Sequence, residues 1–159
     1  MSDPGLKSRV EDFLYAYAAC LDEQRFAEWP GFFNADACTY EVLSRENVDL
    51  GLPAPIMGCY SHGMVKDRVA MLIRNVLTYR RMNLLRQIGN VRVRRADDGT
   101  VHADAGLVVY QSDPEGVSSL YIVARYRAEL IDGGHRFLLR RMGVVVDSFG
   151  IDTMLAVPL

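Results

Sequence analysis

From Leu84 onward, four successive stretches alternate apolar and polar residues with a period of two: RQIGNVRVRRA, TVHADAGLVVYQS, GVSSLYIVARYRAELI and HRFLLRRMGVVVDS. The linkers between them, DDGT, DPEG and DGG, are turn signals, because Asp and Gly tolerate backbone conformations that bulky residues resist. Four strands joined by tight turns make an antiparallel meander. In the third, the spacing places Leu120, Ile122, Ala124, Tyr126, Ala128 and Leu130 on one face, and Ser119, Tyr121, Arg125, Arg127 and Glu129 on the other. The apolar face needs a covering layer.

That layer is legible in the first half of the chain. In SRVEDFLYAYAACLDE, the residues Val10, Phe13, Leu14, Tyr17, Ala18 and Leu21 recur at the spacing of one helical face, and Ser8 with Glu11 has the spacing of a capping box. RFAEWPGFF reads as a short helical piece limited by Pro30, which removes a backbone donor and clashes with the preceding turn. ACTYEVLS follows as a strand. Arg45 to Tyr60, rich in Gly and Pro, reads as a long loop, and a loop of that length is functional or held against a neighbour. GMVKDRVAMLIRNVLT predicts a second long helix with Val65, Val69, Leu72, Ile73 and Val76 on its apolar stripe. Helices followed by a meander predict an α+β fold: one domain over residues 1–159, the N-terminal helices on one face of a strongly curved, mainly antiparallel sheet, and a cone-shaped pocket between the layers.

Composition restricts the partners. A chain of 159 residues buries roughly 70% of its unfolded surface, enough for a core without staples. Its net charge is −2, and its cations are scattered among acids, so no stripe for a nucleic-acid backbone is present. The opening MSDPGLKSRV lacks the apolar segment of a leader, and no apolar run approaches the ~18 residues that span a bilayer. A soluble cytoplasmic protein is expected, with Cys20, Cys38 and Cys59 as reduced, buried thiols.

Two chemistries deserve weighing. Cys59 and His62 form a C-x-x-H pair, half of what a Rieske cluster needs, but Cys20 and Cys38 offer no C-x-H partner. The other histidines, His102 and His135, lie in or beside strands, so no metal site and no catalytic residue is expected on this chain. The rival is acid–base chemistry in the cone, as in ketosteroid-isomerase-like folds. Tyr15, Tyr17, Asp36, Tyr40 and Asp67 could supply its parts, with Tyr17, Asp36 and Tyr40 the pocket candidates. No nucleophile elbow, phosphate loop or dinucleotide fingerprint is present.

RFAEWPGFFNADACTYEVLSRENVDLG, GMVKDRVAMLI, the R-x-x-x-N segment RQIGN and the tail DTMLAVPL together resemble the small (beta) subunit of bacterial aromatic-ring-hydroxylating dioxygenases. The likeness runs from about Val10 to Leu159, and its most specific pieces are Trp29, Asp36 and Tyr40, Arg45-Glu46-Asn47 and Asp67-Arg68-Val69. It departs at Gln87, where relatives often carry His. The resemblance implies the cone fold of nuclear transport factor 2, scytalone dehydratase and ketosteroid isomerase. It also implies a structural role beside an alpha subunit that carries a Rieske [2Fe-2S] cluster and mononuclear Fe(II), with homotrimer contacts in an assembly of three alpha and three beta chains. That complex would perform NADH- and O₂-dependent cis-dihydroxylation in aromatic catabolism, and the loop and tail favour a carboxylated substrate. Apolar stretches at 106–110 and 143–146 suggest surface that a partner covers. Arg45, Glu46, Asp67 and Arg68 are expected to form a charged cluster ordering the long loop against the second helix or a neighbouring chain.

Overall fold

The computed structural model describes residues 3–74, 82–151 and 155–159. Helix α1 (Leu6–Asp22) buries Val10, Leu14, Tyr17, Ala18 and Leu21 of the stripe read from its periodicity, with the remaining member, Phe13, partly buried. The expected capping box does not form. The helix starts earlier, where the Asp3 carboxylate accepts from Gly5 N–H and Leu6 N–H bonds the Asp3 carbonyl, so Ser8 is already an interior residue. The helix ends in a Schellman motif, with Gln24 at φ 57° and Arg25 N–H returning to the Cys20 carbonyl.

A 3₁₀ helix (Phe26–Phe32) contains Pro30 and buries Trp29. It leads into strand β1 (Thr39–Ser44). The segment expected to be one long loop is more structured. Helix α2 (Arg45–Asp49) is capped by Ser44, whose hydroxyl accepts from Asn47 N–H, and the Asn47 amide side chain donates to the Ala54 carbonyl. Strand β2 (Met57–Cys59) then pairs with β1. An S-x-x-N cap thus converts the front of the loop to helix, and sheet pairing takes its end. Helix α3 (His62–Arg74) buries Val65, Val69 and Leu72 but exposes Ile73; the remaining expected residue of its stripe, Val76, lies outside the described residues. No helix among the described residues is long and apolar enough to cross a membrane.

The meander is β3 (Asn83–Arg95), β4 (Val101–Ser112), β5 (Ser118–Asp132) and β6 (Phe137–Val146). The sheet order is β2-β1-β6-β5-β4-β3, antiparallel except where β1 runs parallel to β6. The α+β architecture, with helices on one face of a mainly antiparallel sheet, is the one expected. Two bulges bend it. At Gly89–Arg92 the register with β4 slips, with Asn90 at φ 53°, a conformation Asn adopts more readily than most residues. Between Val109 and Tyr110 a second slip changes the facing of β5, so Leu120 is exposed while Ile122, Ala124, Tyr126, Ala128 and Leu130 stay buried. The expected stripe therefore loses its first member.

The apolar stretches divide likewise. Val144, Val145 and Val146 are buried within the single chain, as are Leu107 and Val109 of the 106–110 stretch, against the expectation of free patches, whereas Leu85 of β3, Tyr110 of β4 and Leu120 and Val123 of β5 are exposed. The three cysteines are buried and free.

Asp132 ties the layers together. It accepts from Arg9 of α1 at 2.7 Å and Arg95 of β3 at 2.8 Å, and from the Gly134 backbone N–H. The Arg9 and Arg95 hydrogen bonds hold its carboxyl far below the usual carboxylate range. A depressed folded-state pKa stabilises above the unfolded value of about 4 and is lost as pH falls through the folded one. Asp132→Asn should therefore be less stable than the parent at neutral pH, and the gap should narrow in urea titrations run progressively below about pH 4.

Candidate functional site

The interior of the cone gathers side chains from five elements. Tyr17 comes from α1, Trp29 from the 3₁₀ helix, Tyr40 from β1, Tyr126 from β5 and Arg86 from β3; all are buried. Their rings pack edge to face: Tyr17 meets Tyr126 at 5.9 Å between centroids, and Trp29 meets Tyr40 at 5.2 Å. This is the arrangement the ring quadrupoles favour. Burial pushes the Tyr17, Tyr40 and Tyr126 hydroxyls well above their ordinary range, so all three remain protonated at neutral pH.

The space they enclose is filled by the chain itself. Pro158 and Leu159 are buried, and Leu159 N–H donates to the Tyr40 hydroxyl at 2.8 Å. The Tyr17 and Tyr40 hydroxyls lie 3.4 Å and 3.5 Å from the main-chain oxygen of Leu159. Arg86 Nη2 donates to the Pro158 carbonyl at 2.5 Å, while its Nη1 meets Asp22 at 2.6 Å. The same Asp22 carboxylate accepts from the Arg86 backbone N–H. That N–H faces away from β4 on the outermost strand, so the end of α1 caps a sheet edge. Among the described residues, Trp29 Nε1, Arg86 Nε and the Tyr126 hydroxyl are buried without a hydrogen bond. Trp29 and Arg86 lie near the Tyr17 and Tyr126 hydroxyls and offset part of their upward shift, but the bonding geometry does not close.

Of the pocket candidates, Tyr17 and Tyr40 thus meet around the tail, while Asp36 stands on the exposed segment before β1. Tyr15 and Asp67 are also exposed. The nearest carboxylate, Asp22, is committed to Arg86, and sequence reasoning missed both. The Cys59–His62 pair separates into two structural roles. Cys59 is a buried residue of β2, its thiol pushed up by burial, and His62 Nε2 lies 2.9 Å from the Pro30 carbonyl, joining α3 to the 3₁₀ helix. Among the described residues, no group of three His, Cys, Asp or Glu side chains is placed to hold a metal.

Arg45 forms ion pairs with Asp49 and, at 3.5 Å, with Asp147, which also meets Arg125. Glu46 is exposed on α2. Asp67 and Arg68 lie on α3, where Arg68 is half-buried and interacts with the Cys59 thiol. Across the outer sheet face, a trough of about 530 Å³ holds cross-strand charge rows: Arg94, His102, Glu129 and Arg141 in one, Arg92, Asp104 and Arg127 in the next. Opposite charges sit side by side at Arg92, Asp104 and Arg127 and at Glu129 and Arg141, as neighbouring strands favour.

The comparisons with known proteins point one way. The chain is 32% identical over 145 residues to the small subunit of anthranilate 1,2-dioxygenase from Burkholderia cepacia, a match covering 90% of this chain and 88% of that protein. The chain belongs to the small (beta) subunits of aromatic-ring-hydroxylating dioxygenases. It is also 30% identical to a beta subunit of the terephthalate 1,2-dioxygenase terminal oxygenase from Comamonas, across 95% of this chain and 97% of the relative. A crystal structure assigned as the beta subunit of such a dioxygenase from Novosphingobium aromaticivorans superposes with a TM-score of 0.85 at 35% identity, covering 96% of each chain. No family model matches. The resemblance read from Trp29, Arg45-Glu46-Asn47 and Asp67-Arg68-Val69 thus named the right family, and the beta subunit is a component of an oxidoreductase complex.

The Arg86–Asp22 pair is the feature on which the interior depends. Asp22→Ala should lower the unfolding free energy by about 3–5 kcal/mol, because it leaves a buried guanidinium uncompensated. Urea unfolding of the isolated chain measures this.

Proposed function

We propose that this chain is the structural beta subunit of a terminal oxygenase whose alpha subunit carries the Rieske [2Fe-2S] cluster and the mononuclear Fe(II), and that the complex cis-dihydroxylates a carboxylated aromatic compound with NADH and O₂. Similarity across nine-tenths of the chain to a subunit of an anthranilate dioxygenase is the observation that carries this reading. The terephthalate oxygenase relative supports a carboxylated substrate. The complex is cytoplasmic and has three alpha and three beta chains, with beta–beta contacts within a trimer.

The rival reading, a free-standing isomerase or dehydratase, needs an accessible carboxylate facing donors across an open cavity. Here Tyr17 and Tyr40 engage the Leu159 backbone, Asp36 is exposed, and Asp22 is held by Arg86. That geometry favours a scaffold over a catalyst.

Arg45, Glu46, Asp67 and Arg68 are the charges we assign to the contact with a neighbouring chain. Arg45, Glu46 and Asp67 are exposed in the single chain. An exposed pair contributes at most about 1 kcal/mol to folding, while a charge buried in an interface opposite its partner costs about 3–5 kcal/mol to orphan. Asp67→Ala should therefore leave the thermal unfolding of the isolated chain nearly unchanged while weakening assembly. Sedimentation of the co-expressed complex reads this, and unchanged assembly removes the cluster from the interface. The function itself is tested by co-expression with the alpha chain and metal analysis of each purified chain. Iron is expected in the alpha chain alone. Stoichiometric iron in this chain, or turnover of an aromatic acid by it unaided, overturns the reading.

A further inference from the structure

On the outer face of the sheet, opposite the helices, each outward position of β4 lies beside an outward position of β5. At one end His102 pairs with Glu129 and Asp104 with Arg127; at the other, Val108 pairs with Val123 and Tyr110 with Leu120. Gly106 and Arg125 form the row between them. The slip at Val109/Tyr110 completes the apolar end, because it turns Leu120 outward and leaves Tyr110, Leu120 and Val123 exposed together. Val109 and Ile122 are buried on the inner face at the same level. Here the two strands are apolar on both sides and covered on one.

The rows also define what cover fits them. Acid stands beside cation, valine beside valine and tyrosine beside leucine, so the face is complementary to itself when turned over about the line between the strands. We propose that the outer face of β4 and β5 is a docking surface for a second copy of this chain, related to the first by a two-fold axis along the seam between the two strands. Such an axis keeps every row at its own level and lays β4 of one copy over β5 of the other. Asp104 then faces Arg127, His102 faces Glu129, Tyr110 faces Leu120 and Val108 faces Val123, each contact occurring twice. One strand further out, the same axis sets Arg94 opposite Arg141, a like-charge pair that confines the contact to the central seam. Five rows two residues apart run roughly 27 Å along the strands. A contact of that length and only two strands wide belongs at the small end of the interface range, so the dimer is a dissociable one. This goes beyond the subunit reading and does not depend on it. Contacts within a ring of three are heterologous, so a two-fold face is a separate contact, and either can fail without the other.

Sedimentation equilibrium of the purified full chain alone, over roughly 1 µM to 1 mM, tests the proposal. The parent should show a concentration-dependent equilibrium between monomer and dimer. Val123→Asp should weaken it at least about tenfold, since it sets a carboxylate against an apolar partner at two symmetry-related places. Asp104→Arg alone and Arg127→Asp alone should each weaken the dimer as well, because each brings like charges face to face across the axis. An equimolar mixture of those two variants should recover it, since the mixed dimer has opposite charges at both places. All three positions are exposed in the single chain, and recovery in the mixture is a result that misfolded variants cannot give. A parent that stays monomeric throughout, a dimer indifferent to Val123→Asp, or a mixture no tighter than its components overturns the proposal.

Discussion

A guanidinium shut away from water organises this molecule. Arg86 stands on the outermost strand of the meander, reaches the end of α1 through Asp22 and holds the Pro158 carbonyl with its other nitrogen. Burying a charge is tolerable only when it is paired and hydrogen-bonded. Three distant parts of the chain, near residues 22, 86 and 158, must therefore be in place together. The helix layer, the sheet edge and the tail are fastened at one point, and the aromatic interior closes around it.

Much of this was legible in the sequence. Period-two alternation and the turn linkers mark the four long strands, because a half-buried sheet forces its side chains to alternate. The stripe of α1 identifies the covering layer for the same reason at helical period. Trp29, Tyr40 and the charged triplets were enough to reach the family.

What stayed hidden follows from local exceptions to those periods. Arg86, Arg92 and Arg94 look alike in RQIGNVRVRR, yet Arg86 alone points inward, because the bulge at Gly89–Arg92 reverses the parity of the strand. Counting back from the buried Val91 through an unrecognised bulge puts Arg86 on the solvent face. Leu120 is displaced in the same way by the slip at Val109/Tyr110. The Ser44–Asn47 cap was written in the sequence, but the Gly and Pro residues after it read as loop throughout. The tail carries no periodic signal. Its place is set by donors that only the assembled cone brings together, and no short window of sequence contains them.

The parallel pairing of β1 with β6 has a kinetic side. Thr39 lies opposite Arg141 and Ser44 opposite Val146, so this ladder joins segments about a hundred positions apart. Pairings of such span close late, since the entropy of a large loop must be overcome before any contact rewards it. During synthesis, the N-terminal layer leaves the ribosome well before the strand that will complete its sheet. Until β6 emerges, the edge of β1 that faces it has nothing native to bind, which makes the nascent chain a client for chaperones at the stage when that neighbour does not yet exist.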